Sequence, residues 1–212
     1  PQPAEKYGSD RVFVFLGMEG DDTHDTGIDE IAASGHPVVN ITLKNIGSLG
    51  QEFFRWEFAT AVVGSIMEIN PFNQPDVESA KIEARKITDN YEQTGSLPDE
   101  KPFFTCDEFS LFTSEKYASI LNDAADGSSA TSFLNAHLAQ LGPHDYFALL
   151  AYIEMDEPNE RTLSGIRRRV LEKHGNATCL GFGPRFLHST GQAYKGGPNT
   201  GVFLQITFED EF

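Results

Sequence analysis

Residue types suited to handling a negatively charged or hydroxylated ligand converge in one short stretch, IMEINPFNQPDVESAK, residues 66–81. It holds Asn70, Asn73, Gln74 and Lys81, punctuated by Pro71 and Pro75. Pro71 clashes with a preceding helical turn, so the spacing predicts that a helix ends near Ile69. Pro75 pre-sets φ for the first turn of the next helix. Asn73 or Gln74 then offers a side-chain oxygen near that helix's unsatisfied amides, which form a natural site for an anion or a hydroxyl. Lys81 lies one turn beyond Val77 and reaches along the same side. The plainer alternative is an ordinary helix–helix corner with Lys81 in solvent.

A second group of candidates lies near the C-terminus. Acids are common elsewhere, yet none occurs from Lys173 to Phe208, a window that carries Lys173, His174, Arg185, His188 and Lys195. A neutral-to-basic island in an acidic chain is either an anion site or a buried sheet region that avoids charge. His36, just before an apolar run, is a third candidate, because an imidazole titrates near neutral pH; a packing histidine is the common alternative.

The elements that must position these residues read as α/β. RVFVFLG (11–17) and HPVVNITL (36–43) have strand composition, and a short helix ended by Gly35 lies between them, with Asp25 or Thr26 as its cap. Strand, helix, strand in about 30 residues is a βαβ unit, hence a parallel sheet. SLGQEFFRWEFATAVVGSIMEI follows with helical apolar spacing and a face broad enough to be largely buried. The next helix is expected over 76–91. Residues 92–126 read as an irregular linker or excursion. A second α/β stretch occupies 127–212, with a Ser-capped helix, the strand DYFALLAYI, a helix whose acids and bases match its dipole, and the strands ATCLGF and TGVFLQIT. The expected fold is a mainly parallel sheet flanked by helices on both faces, with 1–91 as one part and 127–212 packing on the same sheet or forming a small subdomain.

Composition narrows the function classes. The chain has 212 residues, 39% hydrophobic and 11% aromatic with 17 Phe, enough for a packed core. Its formal charge of −16 disfavours nucleic acid and anionic membranes as partners. No apolar run reaches the roughly 18 residues of a membrane span. Cys106 and Cys179 read as reduced thiols of a cytoplasmic protein, and no Cys/His spacing resembles a metal site. The chain opens on Pro1-Gln2-Pro3-Ala4 without a signal-peptide pattern, and is expected to be a domain cut from a longer chain.

Residues 64–81, GSIMEINPFNQPDVESAK, closely resemble the C-terminal signature of the glucose-6-phosphate isomerase family, in which a Gly leads to an Asn-x-Phe-Asp-Gln turn, then Val-Glu, then Lys. Asn73 stands where Asp is usual, and Asp76 where a small residue is usual. GFGPRFLHSTGQAYKGGPNTGVFLQIT (181–207) is similar, through His188–Gln192, to a segment of bacterial isomerases. The order of the two segments looks like the isomerase half of bifunctional transaldolase/glucose-6-phosphate isomerase fusions.

The resemblance implies a sugar-isomerase-domain fold, a three-layer αβα sandwich, and interconversion of glucose 6-phosphate and fructose 6-phosphate through an enediol, without metal or organic cofactor. It implies that Lys81 contacts the ring oxygen and sugar hydroxyls, that Gln74 lies at the substrate's phosphate end, that His188 and Gln192 bind substrate, and that His36 opens the ring. Arg185 and Lys195 either help to hold phosphate or are solvated. The family's catalytic glutamate has no match. Glu57 and Glu68 are the nearest, and Glu57 is expected to be structural. The family's main phosphate loop has none either. The chain therefore resembles a second sugar-isomerase domain that supplies part of a site, with the first such domain as partner and homodimerisation as a further arrangement. A phosphosugar-binding module without turnover and a dimerising scaffold are the competing readings.

Overall fold

The computed structural model describes residues 3–21, 26–73, 75–187 and 191–208. The chain divides into two compact units, Pro1–Asn73 and Gln74–Phe212. The division falls inside the 66–81 stretch.

The first unit holds the expected βαβ. β1 (Phe13–Met18) pairs in parallel with β2 (Val38–Leu43) through α1 (Thr26–Ala33). Gly35 adopts φ +88°, and the chain turns back so that the His36 amide reaches the Ile31 carbonyl. Such a backbone strains any residue with a Cβ, which is why glycine ends this helix. Pro37 precedes β2, and its carbonyl accepts the Phe13 amide. A five-residue connection from the carboxyl end of β2 then enters α2 (Leu49–Ile66).

The expectation that α2 is largely buried is corrected. Only Glu52 and Gly64 are buried on it, while Phe53, Phe54, Trp56, Phe58, Val63 and Ile66 are exposed. A two-stranded sheet and one short helix do not offer enough surface to cover an 18-residue apolar helix.

The second unit begins with α3 (Pro75–Thr94). The stretch expected to be an irregular linker is instead ordered. A short antiparallel pair, β3 (Phe104–Thr105) with β4 (Ser110–Leu111), leads into α4 (Glu115–Ala124). The Ser114 hydroxyl accepts the Tyr117 amide and caps α4. α5 (Ala130–Leu138) starts the same way on Ser129. Leu121, Phe133 and Ala136 form a core between these helices, with Phe103, Phe104 and Leu111 of the hairpin region packed against it.

Three parallel strands follow, β5 (Tyr146–Ala151), β6 (Ala177–Phe182) and β7 (Gly201–Ile206), in the order β6-β5-β7. This sheet is separate from β1–β2, so the two α/β stretches do not share one sheet. Central β5 is apolar on both faces because both are covered. Phe147, Leu149 and Ala151 pack with Leu163 and Val170 of α6 (Glu157–His174). Ala148 and Leu150 face the other way, against Phe186 and Tyr194. Tyr194 belongs to α7 (Gln192–Gly196).

Asp156 caps α6 by accepting the Asn159 amide at 2.8 Å, and Gly175 ends it at φ +75°. Buried Asn176 then donates to the carbonyls of Gly142 and Asp145, at 2.6 and 3.0 Å. That pair of bonds ties the entry of β6 to the loop before β5.

Candidate functional site

The proline-interrupted stretch folds as a helix stop that doubles back on its own helix. α2 ends at Ile66 rather than near Ile69, because Glu68 takes a left-handed conformation, φ +57°. The Ile69 amide donates to the Gly64 carbonyl at 2.9 Å and the Glu68 amide to Ser65 at 3.4 Å. These two bonds satisfy the last carbonyls of the helix. Pro71 then lies over Gly64, where an added Cβ would stand 2.6 Å from the proline Cδ. The Asn70 side chain holds the turn, accepting from the Phe72 amide at 2.9 Å and donating to Asn73 Oδ1 at 3.3 Å. The asparagines are thus spent within the turn. Gln74 lies outside the described residues.

Lys81 stands on α3 with its ammonium 2.7 Å from Glu78 Oε1, and both side chains are more than half exposed. The lysine beside Glu78 holds that carboxyl below the usual range. A 370 Å³ depression lies on α3 between Asp76, Ser79, Ala80, Glu83 and Lys195 of α7. Most of its α3 residues recur at helical spacing, with Ile82 at its edge, and Lys81 does not line it. Lys195 donates to the Leu187 carbonyl at 3.2 Å.

His36 sits at the amino end of β2, half-buried. Its ring packs edge-on to Phe13 and Tyr7, at 5.5 and 6.2 Å, with Nε2 3.4 Å from the Ala4 carbonyl oxygen. Open α/β sheets bind ligands at the opposite, carboxyl end of their strands. The contacts of His36 are those of a packing residue.

The C-terminal island spans β6 and β7, with Lys173 and His174 before the amino end of β6 and Arg185 after its carboxyl end. From β5 the chain turns into α6 on one face. From β6 it turns through Gly183, cis-linked to Pro184, and the short helical turn Arg185–Leu187 toward the other face. Adjacent strands whose exits diverge in this way open a crevice between them, the usual ligand position in parallel sheets. Tyr152 fills much of it, packing on Gly183 so closely that a Cβ there would meet its ring, and standing edge-on to Phe186 at 5.4 Å. Arg185 is exposed, and Gln192 is half-buried at the start of α7. His188 lies outside the described residues. Below, Tyr146, Tyr194 and Phe203 surround Cys179. Burial foremost, then the Cys179 thiol, pushes the Tyr194 hydroxyl up to about 12. Cys106 and Cys179 are both free thiols.

Within the second unit, then, Gln192 opens α7, whose Tyr194 packs on Tyr146 at the start of β5, while Lys81 stands in a surface ion pair. His36 belongs to the other unit. Sequence reading missed Glu52, whose side chain is 5% exposed. Its signal was an acid in the first turn of α2 next to Phe53 and Phe54, three residues before Arg55. Glu57 and Glu68 are both exposed. Among the described residues, no group of three or more His, Cys, Asp or Glu is placed to hold a metal ion, and no helix is long and apolar enough to cross a membrane.

No family model, no curated protein and no solved structure matches the chain.

Proposed function

We propose that this chain is one lobe of an aldose–ketose isomerase acting on glucose 6-phosphate and fructose 6-phosphate, with the three-layer fold of a sugar-isomerase domain. The observation that carries this reading is the 64–81 stretch. Gly64, the Asn-x-Phe turn, Gln74 and Lys81 stand in the order of the isomerase signature, and Gly64 packs against Pro71 within that turn.

In this reading Lys81 stabilises negative charge developing on sugar oxygens, as a positioned ammonium does, and Gln74, His188 and Gln192 contact substrate. A first sugar-isomerase domain completes the site, the protein is cytoplasmic, and no cofactor takes part. The test is a coupled assay of fructose 6-phosphate turnover in the complete two-lobe enzyme. Lys81→Ala is expected to lower kcat about a hundredfold; unchanged turnover would sink this assignment.

One observation favours a second reading, a lobe that binds phosphosugar without turning it over. The Lys81 ammonium is engaged by Glu78 and stands in solvent rather than against a described catalytic carboxylate. Calorimetry of the 212-residue chain with 6-phosphogluconate separates the two. Tight binding by this chain alone, with no turnover in the two-lobe enzyme, selects the second.

A further inference from the structure

Parallel sheets are ordinarily covered by helices on both faces, yet one face of β1–β2 is largely uncovered. Val14, Leu16 and Met18 stand opposite Val39, Ile41 and Leu43 in the parallel register, so these side chains share a face. Every one is apolar, and Val14, Leu16, Met18 and Val39 are exposed. The other face carries the exposed polar residues Asn40 and Thr42. A two-stranded sheet with an apolar side open to water is marginal by itself.

The same unit holds a helix with the complementary deficit. α2 is apolar on more than one side, as helices inside a core are, and Phe53, Phe54, Trp56 and Phe58 are each about half exposed or more. It follows β2 through residues 44–48, yet leaves the apolar sheet face uncovered. A sheet without its helix and a helix without its sheet thus occur in one polypeptide. The surfaces are large. At about 200 Å² per aromatic side chain, those four rings leave roughly 500 Å² in water. With the aliphatic residues of α2 and of the sheet face, the apolar area reaches about 1,000 Å², against about 300–600 Å² for the largest patch of a typical monomer. A stable interface covers about 800 Å² per partner.

We propose that a second copy of this chain covers both surfaces, with α2 of each copy packed on the Val14–Leu16–Met18 face of the other about a two-fold axis. Reciprocal exchange of one element buries each surface twice and needs no further component. Two copies of a chain of formal charge −16 repel one another, and the uncharged sheet face is where they approach at least cost. Because α2 is apolar on several sides, part of it stays in water in the dimer. The proposal does not rest on the isomerase reading, and its failure leaves that reading untouched.

Trp56, the only tryptophan of the chain, reports the event without any substitution. Sedimentation equilibrium of the 212-residue chain is expected to show monomer and dimer in exchange. Trp56 emission is expected to move to shorter wavelength over the same rise in concentration. Leu16→Gln sets an amide in the middle of the sheet face and is expected to weaken the dimer by about tenfold or more, with Trp56 emission following the monomer. Val39→Thr, on the neighbouring strand, should weaken it in the same sense and keeps the test decisive should circular dichroism show that Leu16→Gln does not fold. A chain that stays monomeric at every concentration overturns the proposal, whether Trp56 is then in water or covered by its own sheet. A dimer that both folded variants leave at wild-type strength also overturns it, because α2 is then paired with something other than the sheet face. So does dissociation that leaves Trp56 emission unmoved.

Discussion

The ring of Pro71 occupies the space that a side chain on Gly64 would fill, so the end of α2 and the turn beyond it form one packed piece. Gly64→Ala is expected to destabilise the first unit by about 1–3 kcal/mol, the usual cost of overpacking. Urea denaturation measures it. In Gly64→Ala/Pro71→Ala the ring is gone, and much of that loss should be recovered; strict additivity of the two changes would show that the contact is not the cause.

Glu68 holds a left-handed backbone at the position where helices usually place glycine. Relief of that strain, less the extra freedom glycine gains in the unfolded chain, leaves a net gain of about 0.5 kcal/mol for Glu68→Gly. A higher denaturation midpoint checks this, and a lower one would mean that the Glu68 side chain contributes more than its exposure suggests.

Asn176 satisfies two carbonyls from a single amide nitrogen. Asn176→Leu takes this donor from the Asp145 carbonyl, while the Gly142 carbonyl keeps the Asp145 amide at 3.2 Å, and should cost about 1 kcal/mol. Hydrogen exchange should show the loss in β5 and β6 rather than in the β3–β4 hairpin.

His137 gives the second unit a pH dependence. Its Nδ1 stands 2.9 Å from the Tyr117 hydroxyl, while Nε2 is buried with no atom in hydrogen-bond geometry. Burial holds the imidazole below its ordinary value, and the nearby Phe203 backbone only partly opposes this. The unfolded chain therefore takes up a proton as pH falls through about 6.5, before the folded state does. Stability should be flat above that pH and decline below it, levelling off once the folded imidazole also protonates. Melts from pH 8 to 5 on wild type and His137→Gln test the sign, since the variant should lose this part of the slope.

Much of the second sheet was legible because its signals are local and redundant. A cap at Asp156, acids then bases along α6, a glycine stop and an uninterrupted apolar β5 all agree. The hairpin was not legible. Two-residue strands carry no periodicity, whereas α4 did offer helical spacing at Tyr117, Ala118, Leu121 and Ala124 behind a Ser114 cap, a signal that was passed over because the segment before it is irregular. The polar groups of the 66–81 stretch were visible, but not their direction. Asn70 turns inward to hold its own loop, which side-chain chemistry alone does not reveal. Glu52 and Arg55 look like any helical ion pair in sequence, and only the burial of one partner sets them apart.

The uncovered aromatic sides of α2 have a practical consequence. Phe53, Phe54, Trp56 and Phe58 crowd two turns of helix with barely any shielding from water. Sulfate and phosphate salts raise the penalty for such contact. Purification by salting-out should drive these helices onto one another, and a solubility limit that tracks salt type more than pH would trace the precipitation to this one surface.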